Sequence, residues 1–149
     1  MSDIERIQEL ATAFRQAIEK TSFSSYPMLH FPNGCCGDAT IYLSEYLMEN
    51  GFQAEYYCGL HPRREGMNPQ RHAWVILEDG SIADITGDQF KNDSEHLNYD
   101  KPVYVGEVDD FHGLFATCQT RHIGGIDCYD EGNRTRLKAE YERIKGSLL

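Results

Sequence analysis

Two apolar runs joined by a short turn constrain this chain more than any other feature. His72-Ala-Trp-Val-Ile-Leu77 and Ile82-Ala-Asp-Ile-Thr86 flank Glu78-Asp-Gly-Ser81, and Asp-Gly between runs rich in β-formers is a strong hairpin signal. The pattern predicts two antiparallel strands. Side chains alternate between faces along a strand, so the turn length decides which residues of the two runs meet. With Asp79-Gly80 as a two-residue turn, His72 lies opposite Gly87, and Ala83, Ile85, Gly87 and Gln89 share its face. A three-residue loop or a single bulge reverses the parity and brings Asp84 onto the His72 face.

Upstream, Phe31-Pro-Asn-Gly-Cys-Cys-Gly-Asp38 is a loop of structure-breaking residues that carries two adjacent cysteines. Ala39, Leu43, Tyr46 and Leu47 then recur at three- and four-residue intervals, and Asn50-Gly51 supplies a stop, so a helix is predicted from the cysteine turn to Asn50. A cysteine at a helix start faces unpaired backbone N–H groups and the positive end of the helix dipole, which favour a thiolate. Asp38 in the first turn suits the dipole but would raise a nearby thiol, so it is expected to point away from the sulfur.

The remaining chain supplies a frame. Ser2 and Glu5 form the pattern of a capping box, followed by an apolar stripe of Ile4, Ile7, Ala11, Phe14 and Ile18 through Thr21. Phe52 to Leu60 alternates and is rich in aromatics, which predicts a strand holding Cys58, and Val103 to Val108 predicts another. Leu137, Tyr141, Ile144 and Leu148 mark a second amphipathic helix over about Asn133 to Leu149. His61 to Arg71 is a polar loop with a basic island of Arg63, Arg64 and Arg71, and Asp109 to Gly132 has no assignable pattern.

A chain of 149 residues with no repeat or linker fits one domain spanning 1–149, able to bury roughly 68–70% of its extended surface without a staple. The net charge of −10 argues against nucleic acid, which needs a basic surface. Neither a signal peptide nor a membrane span is evident, and five cysteines, an odd number, suit a reduced cytoplasmic protein. Cys118-x3-His122-x5-Cys128, with His112 upstream, contains zinc-ligand types at irregular spacing and no C-x-x-C pair. The expectation is no metal and no cofactor.

Cysteine chemistry needs a base for the thiol proton and a third group to orient that base. The chain offers Cys36 at a helix start, His72 on one strand and Asp84 on the next. Gly34-Cys-Cys36-Gly-Asp38, the helix ending at Gly51-Phe, His72-Ala-Trp-Val and Asp84-Ile-Thr86 together resemble the transglutaminase-like core of the papain-like cysteine superfamily, over about residues 31 to 90. The resemblance implies an α+β fold in which a nucleophile helix packs on an antiparallel sheet, here flanked by the N- and C-terminal amphipathic helices. It implies Cys36 as nucleophile, His72 as general base and acid, and Asp84 as the orienting group. Cys35 is then buried or a spectator, with regulation of the site by an oxidisable neighbour as the further option.

Register leaves Gln89 as the competitor of Asp84 for the imidazole, or as a donor to an oxyanion beside the Cys36 N–H; Asn33 is a further candidate donor. Trp74 lies two residues from His72 and either shields the site or fills core, and Arg63 and Arg64 are candidate substrate contacts. The expected chemistry is hydrolysis of a peptide or side-chain amide through an acyl-enzyme, with acyl transfer from a small acyl substrate as its variant. The alternative is a binding or regulatory domain without turnover. An arylamine-type acyltransferase shares the residue order, but that family is much longer and ranks last. Oligomeric state is not encoded in any pattern found.

Overall fold

The structure is a computed structural model that describes residues 1–62, 68–92 and 97–148. Its elements run α1 (Asp3–Lys20), α2 (Cys36–Glu49), β1 (Ala54–His61), β2 (Gln70–Leu77), β3 (Ile82–Asp84), β4 (Tyr104–Gly106), α3 (Asp110–Gly113), β5 (Thr117–Ile123) and α4 (Glu131–Lys145), with single 3₁₀ turns at Met28–His30 and Gly87–Phe90. The strands form one antiparallel sheet in the order β4-β3-β2-β1-β5. The protein is therefore α+β, with helices before, within and after the strand-bearing part of the chain.

Caps set the helix boundaries. Ser2 Oγ accepts from Glu5 N at 3.2 Å and starts α1, while Asp130 Oδ1 accepts from Asn133 N at 3.0 Å and starts α4 two residues before the periodicity suggests. The α1 stripe of Ile7, Leu10, Phe14 and Ile18 meets Tyr42, Leu43 and Leu47 of α2 and Leu137, Tyr141 and Ile144 of α4. All of them pack with one sheet face, represented by Val75, Leu77, Ala83 and Ile85. The other face carries a separate cluster of Tyr57, Trp74, Ile82, Phe90, Phe111 and Phe115. The sheet thus has two dry faces, and side-chain alternation assigns each residue of β2 and β3 to one of them.

The hairpin corrects the two-residue turn. Val75 pairs with Ala83 and Ile76 with Ile82, Leu77 N donates to Ser81 O at 2.7 Å, and Gly80 N donates back to Leu77 O at 3.0 Å. The loop is therefore the three residues Glu78-Asp79-Gly80, closed by Asp79 Oδ1 accepting from Ser81 N at 2.9 Å. Gly80 takes φ of +88°, which a residue with a Cβ adopts only under strain. Extended in this register, Trp74 lies opposite Asp84 and His72 opposite Thr86, so His72, Trp74 and Asp84 share a face.

Two elements lie in the segment without a sequence pattern. Strand β5 is exposed along nearly its whole length and so lacks the apolar alternation of a strand packed on a core. Helix α3 is a single turn, capped by Asp109, whose Oδ1 accepts from His112 N at 2.8 Å. Strand β5 bulges at Gln119 where it pairs with Cys58 and Gly59 of β1. Gly59 sits opposite His72, and a Cβ there would come within 2.1 Å of the Phe115 carbonyl oxygen and 2.8 Å of the Tyr57 ring. Gly59→Ala is expected to destabilise the fold by about 2 kcal/mol or more through overpacking, read by urea unfolding.

Candidate active site

Cys36 opens α2 with no side chain capping the helix, since Cys35 at the N-cap makes no such bond. The first-turn N–H groups therefore point at the region of the thiol. Cys36 is half-buried as a residue, and the groups that act on its thiol include the His72 imidazole and the backbone N–H of Ala73. Burial alone would raise this thiol, but the His72 hydrogen bond, the His72 charge and the Ala73 N–H together hold it below its ordinary value against the opposing charge of Asp84. Cys35 is the reverse case: it is fully buried, and burial with the neighbouring negative groups Cys36 and Asp38 pushes its thiol up to about 12. Asp38 is tied by Arg136 of α4 at 3.0 Å.

His72 is buried on β2 among the rings of Trp74, Phe90, Phe111 and Phe115, with centroids 5.0–5.8 Å away. Its Nε2 lies 2.7 Å from Asp84 Oδ2. Burial would lower this imidazole, but the Asp84 carboxylate outweighs it, and together with the Cys36 interaction raises it to about 9. Asp84 is itself 1% exposed. Burial would raise its carboxyl, yet the charge of His72 and the hydrogen bonds from His112 and His72 hold it well below the usual carboxylate range. Its Oδ1 also accepts from Thr86 N at 2.9 Å.

Gln89 is not a rival of Asp84 for the same nitrogen. The 3₁₀ turn Gly87–Phe90 presents its side-chain amide 3.2 Å from His72 Nδ1, on the opposite edge of the ring from Asp84. That turn is anchored by the buried Arg15 of α1, whose Nη1 and Nη2 bond Asp88 Oδ1 and Oδ2 at 2.8 and 2.9 Å while Nη1 also bonds Ile85 O at 2.8 Å. Asn33 is exposed in the loop before Cys35, where its backbone N–H donates to His30 O at 2.8 Å. Trp74 is buried 4.8 Å from Tyr57, as part of the wall behind His72 rather than a surface for substrate. Arg63 and Arg64 lie outside the described residues. Pro32, Asn33, Asp88, Gln89, Lys91 and Asn92 line a polar cleft beside Gln89.

His112 escaped the sequence reading as a member of this cluster, because it lies in the patternless segment and was grouped with Cys118, His122 and Cys128. It is buried with Nε2 2.7 Å from Asp84 Oδ2 and Nδ1 2.6 Å from Asp109 Oδ1. His122 instead stacks on Tyr56 at 4.9 Å, with Cys128 Sγ 3.9 Å from its Nδ1. Among the described residues, His72, Asp84 and His112 form a set whose donor atoms lie within 4.8 Å of one another, as metal ligands would. Both ring nitrogens are already bonded to the same carboxylate oxygen at 2.7 Å, so a metal would have to displace two hydrogen bonds in a site closed to solvent. Among the described residues, no helix is long and apolar enough to cross a membrane.

These shifts fix a pH dependence. A raised histidine contributes stability that is complete below its unfolded value of 6.5 and is lost as pH rises through about 9. A lowered cysteine does the opposite, adding stability as pH rises above its folded value towards 9.0, the ordinary thiol value. Between these limits the proton that His72 gains on folding is the one Cys36 loses, so the two slopes offset. Cys36→Ser is expected to leave the His72 slope exposed: its Tm falls steadily from neutral pH upwards, whereas the parent protein stays flatter. Asp84, held low, adds an acid edge at which stability is lost as pH drops below 3.8.

Comparison with known protein families, with curated proteins and with solved structures found no match.

Proposed function

We propose that the protein is a cysteine-nucleophile enzyme of the transglutaminase-like, papain-like kind, acting on an amide or thioester carbonyl through an acyl-enzyme. The observation that carries this reading is a cysteine at a helix start whose thiol His72 holds below its ordinary value, while that imidazole is bonded through Nε2 to the buried Asp84 carboxylate. Two bonded ring nitrogens alone do not mark a catalytic histidine, as His112 has both bonded to carboxylates; His72 also lowers a cysteine thiol. It is polarised in the direction that thiol chemistry requires.

In the proposed reaction the Cys36 thiolate attacks the carbonyl carbon, forming the C–S bond and moving an electron pair onto oxygen. The oxyanion forms beside the Cys36 N–H and the Gln89 amide, which are its donors. His72, carrying the proton taken from Cys36, delivers it to the leaving amine as the C–N bond breaks. Water then attacks the thioester, gives its proton to His72, and releases the acid and the thiol. Asp84 keeps Nε2 of His72 bonded throughout, so that Nδ1 is the nitrogen that exchanges protons. An amine in place of water would give acyl transfer instead.

The polar cleft of Asn33, Gln89, Lys91 and Asn92 supports a peptide or side-chain amide as substrate, since it offers donors and acceptors rather than an apolar slot. Such a thiol stays active in a reducing compartment, which favours the cytoplasm.

The test uses 4-nitrophenyl acetate as a generic acyl donor and iodoacetamide as a thiol probe. Mass spectrometry is expected to find one acetyl group on Cys36, and iodoacetamide is expected to modify Cys36 faster than a free thiol at about pH 6. His72→Ala should abolish both effects, and Gln89→Ala should lower the acylation rate by roughly 100-fold while leaving alkylation intact. A Cys36 that reacts as an ordinary thiol and takes no acetyl group would leave the inactive binding domain as the reading.

A further inference from the structure

His112 takes no part in the proposed proton transfers, yet both of its ring nitrogens are bonded to carboxylates on different elements. Nε2 reaches Asp84 Oδ2 of β3 at 2.7 Å, and Nδ1 reaches Asp109 Oδ1, the cap of its own helix, at 2.6 Å. Asp109 is itself fixed by His112 N at 2.8 Å and by the Tyr99 hydroxyl, which donates to Oδ2 at 3.1 Å. Around the ring stand Trp74 and His72 of β2, with centroids 4.8 and 6.0 Å away, Tyr104 of β4 at 5.4 Å and Tyr99 at 5.4 Å. His72, Asp84 and His112 are each at or below 1% exposure, while Asp109 and Tyr99 at the outer end are partly exposed.

We infer that His112 is a positioning residue, which clamps the Asp84 carboxylate so that Oδ2 stays aimed at His72; the inference rests on the Cys36–His72–Asp84 reading. One oxygen accepting from two imidazoles cannot turn without breaking both bonds, and Oδ1 is held at the same time by Thr86 N. A buried carboxylate left with fewer donors is costly to keep ionised. The His112 hydrogen bond is among the causes that keep Asp84 charged, after the opposing effect of burial and the charge of His72. Without it, Asp84 takes up its proton at a higher pH, and the acid edge of the site moves up.

The experiment follows the Asp84 carboxyl by ¹³C NMR titration in the Cys36→Ser protein, and the iodoacetamide rate of Cys36 against pH in the parent. His112→Phe keeps the ring volume but removes both donors. It is expected to raise the Asp84 midpoint by about one pH unit or more and to slow Cys36 alkylation only as pH falls towards that raised midpoint, leaving the rate at neutral pH unchanged. His112→Gln, which can return one N–H to Oδ2, should recover most of that loss. A folded His112→Phe with an unchanged Asp84 midpoint overturns the clamp. Should His112→Phe fail to fold, Asp109→Asn takes its place, with a shift in the same direction expected and no shift overturning the inference. If Cys36 of the parent shows ordinary reactivity, the enzyme reading falls while the Asp84 midpoint still decides the clamp.

Discussion

A carboxylate with almost no access to water is the constraint around which the second face of the sheet is organised. Asp84 gives one oxygen to His72 and His112, each at 2.7 Å, and the other to the Thr86 backbone at 2.9 Å. Its remaining surroundings are aromatic: Trp74, Tyr99, Tyr104, Phe111 and Phe115 surround the two imidazoles. Charges in such a place persist only if every one has a partner. Asp84 therefore ties β2, β3 and α3 together, and it occupies Nε2 of His72, leaving Nδ1 on the edge where Gln89 lies.

The pairing depends on a turn of three residues rather than two. With Gly80 at positive φ and Asp79 bonded to Ser81 N, the hairpin aligns Val75 with Ala83 and leaves His72, Trp74 and Asp84 on one face. A one-residue change would send Asp84 towards Val75 and Leu77, against the core shared with α1 and α2, and turn Ile85 out of that core. The same alternation keeps the apolar core and the polar cluster from mixing. Arg15 then crosses from α1 to bind Asp88 and Ile85 O, which fixes the 3₁₀ turn carrying Gln89.

Much of this was legible in the residues. The periodicity of α1 and α2, the capping role of Ser2 and the two strands of the hairpin follow from spacing alone, because the apolar residues recur at the period of each element and Ser2 stands three residues before Glu5. Turn length was not legible, since Asp79-Gly80 suits a two-residue loop and the competing closure between Leu77 and Ser81 is a backbone property. Strand β5 was missed because its side chains are nearly all exposed and so need no alternation. His112 was missed for a related reason. It sits on one helical turn, and its partner Asp84 lies 28 positions away, so no local spacing announces it. Cys36, His72 and Asp84 could be named because their order along the chain is itself a pattern; Trp74 could be named but not placed, since a strand position does not say whether its face is covered.

The central claim is that His72, oriented by Asp84, holds Cys36 as a thiolate. The most direct measurement is a titration of Cys36 by the ultraviolet absorbance of its thiolate, taken as the difference between the parent and Cys36→Ser and repeated in the His72→Ala and Asp84→Asn backgrounds. The account predicts a midpoint below the ordinary 9.0 in the parent, rising in both variants. A parent midpoint at or above 9.0, or one that neither substitution moves, would contradict it.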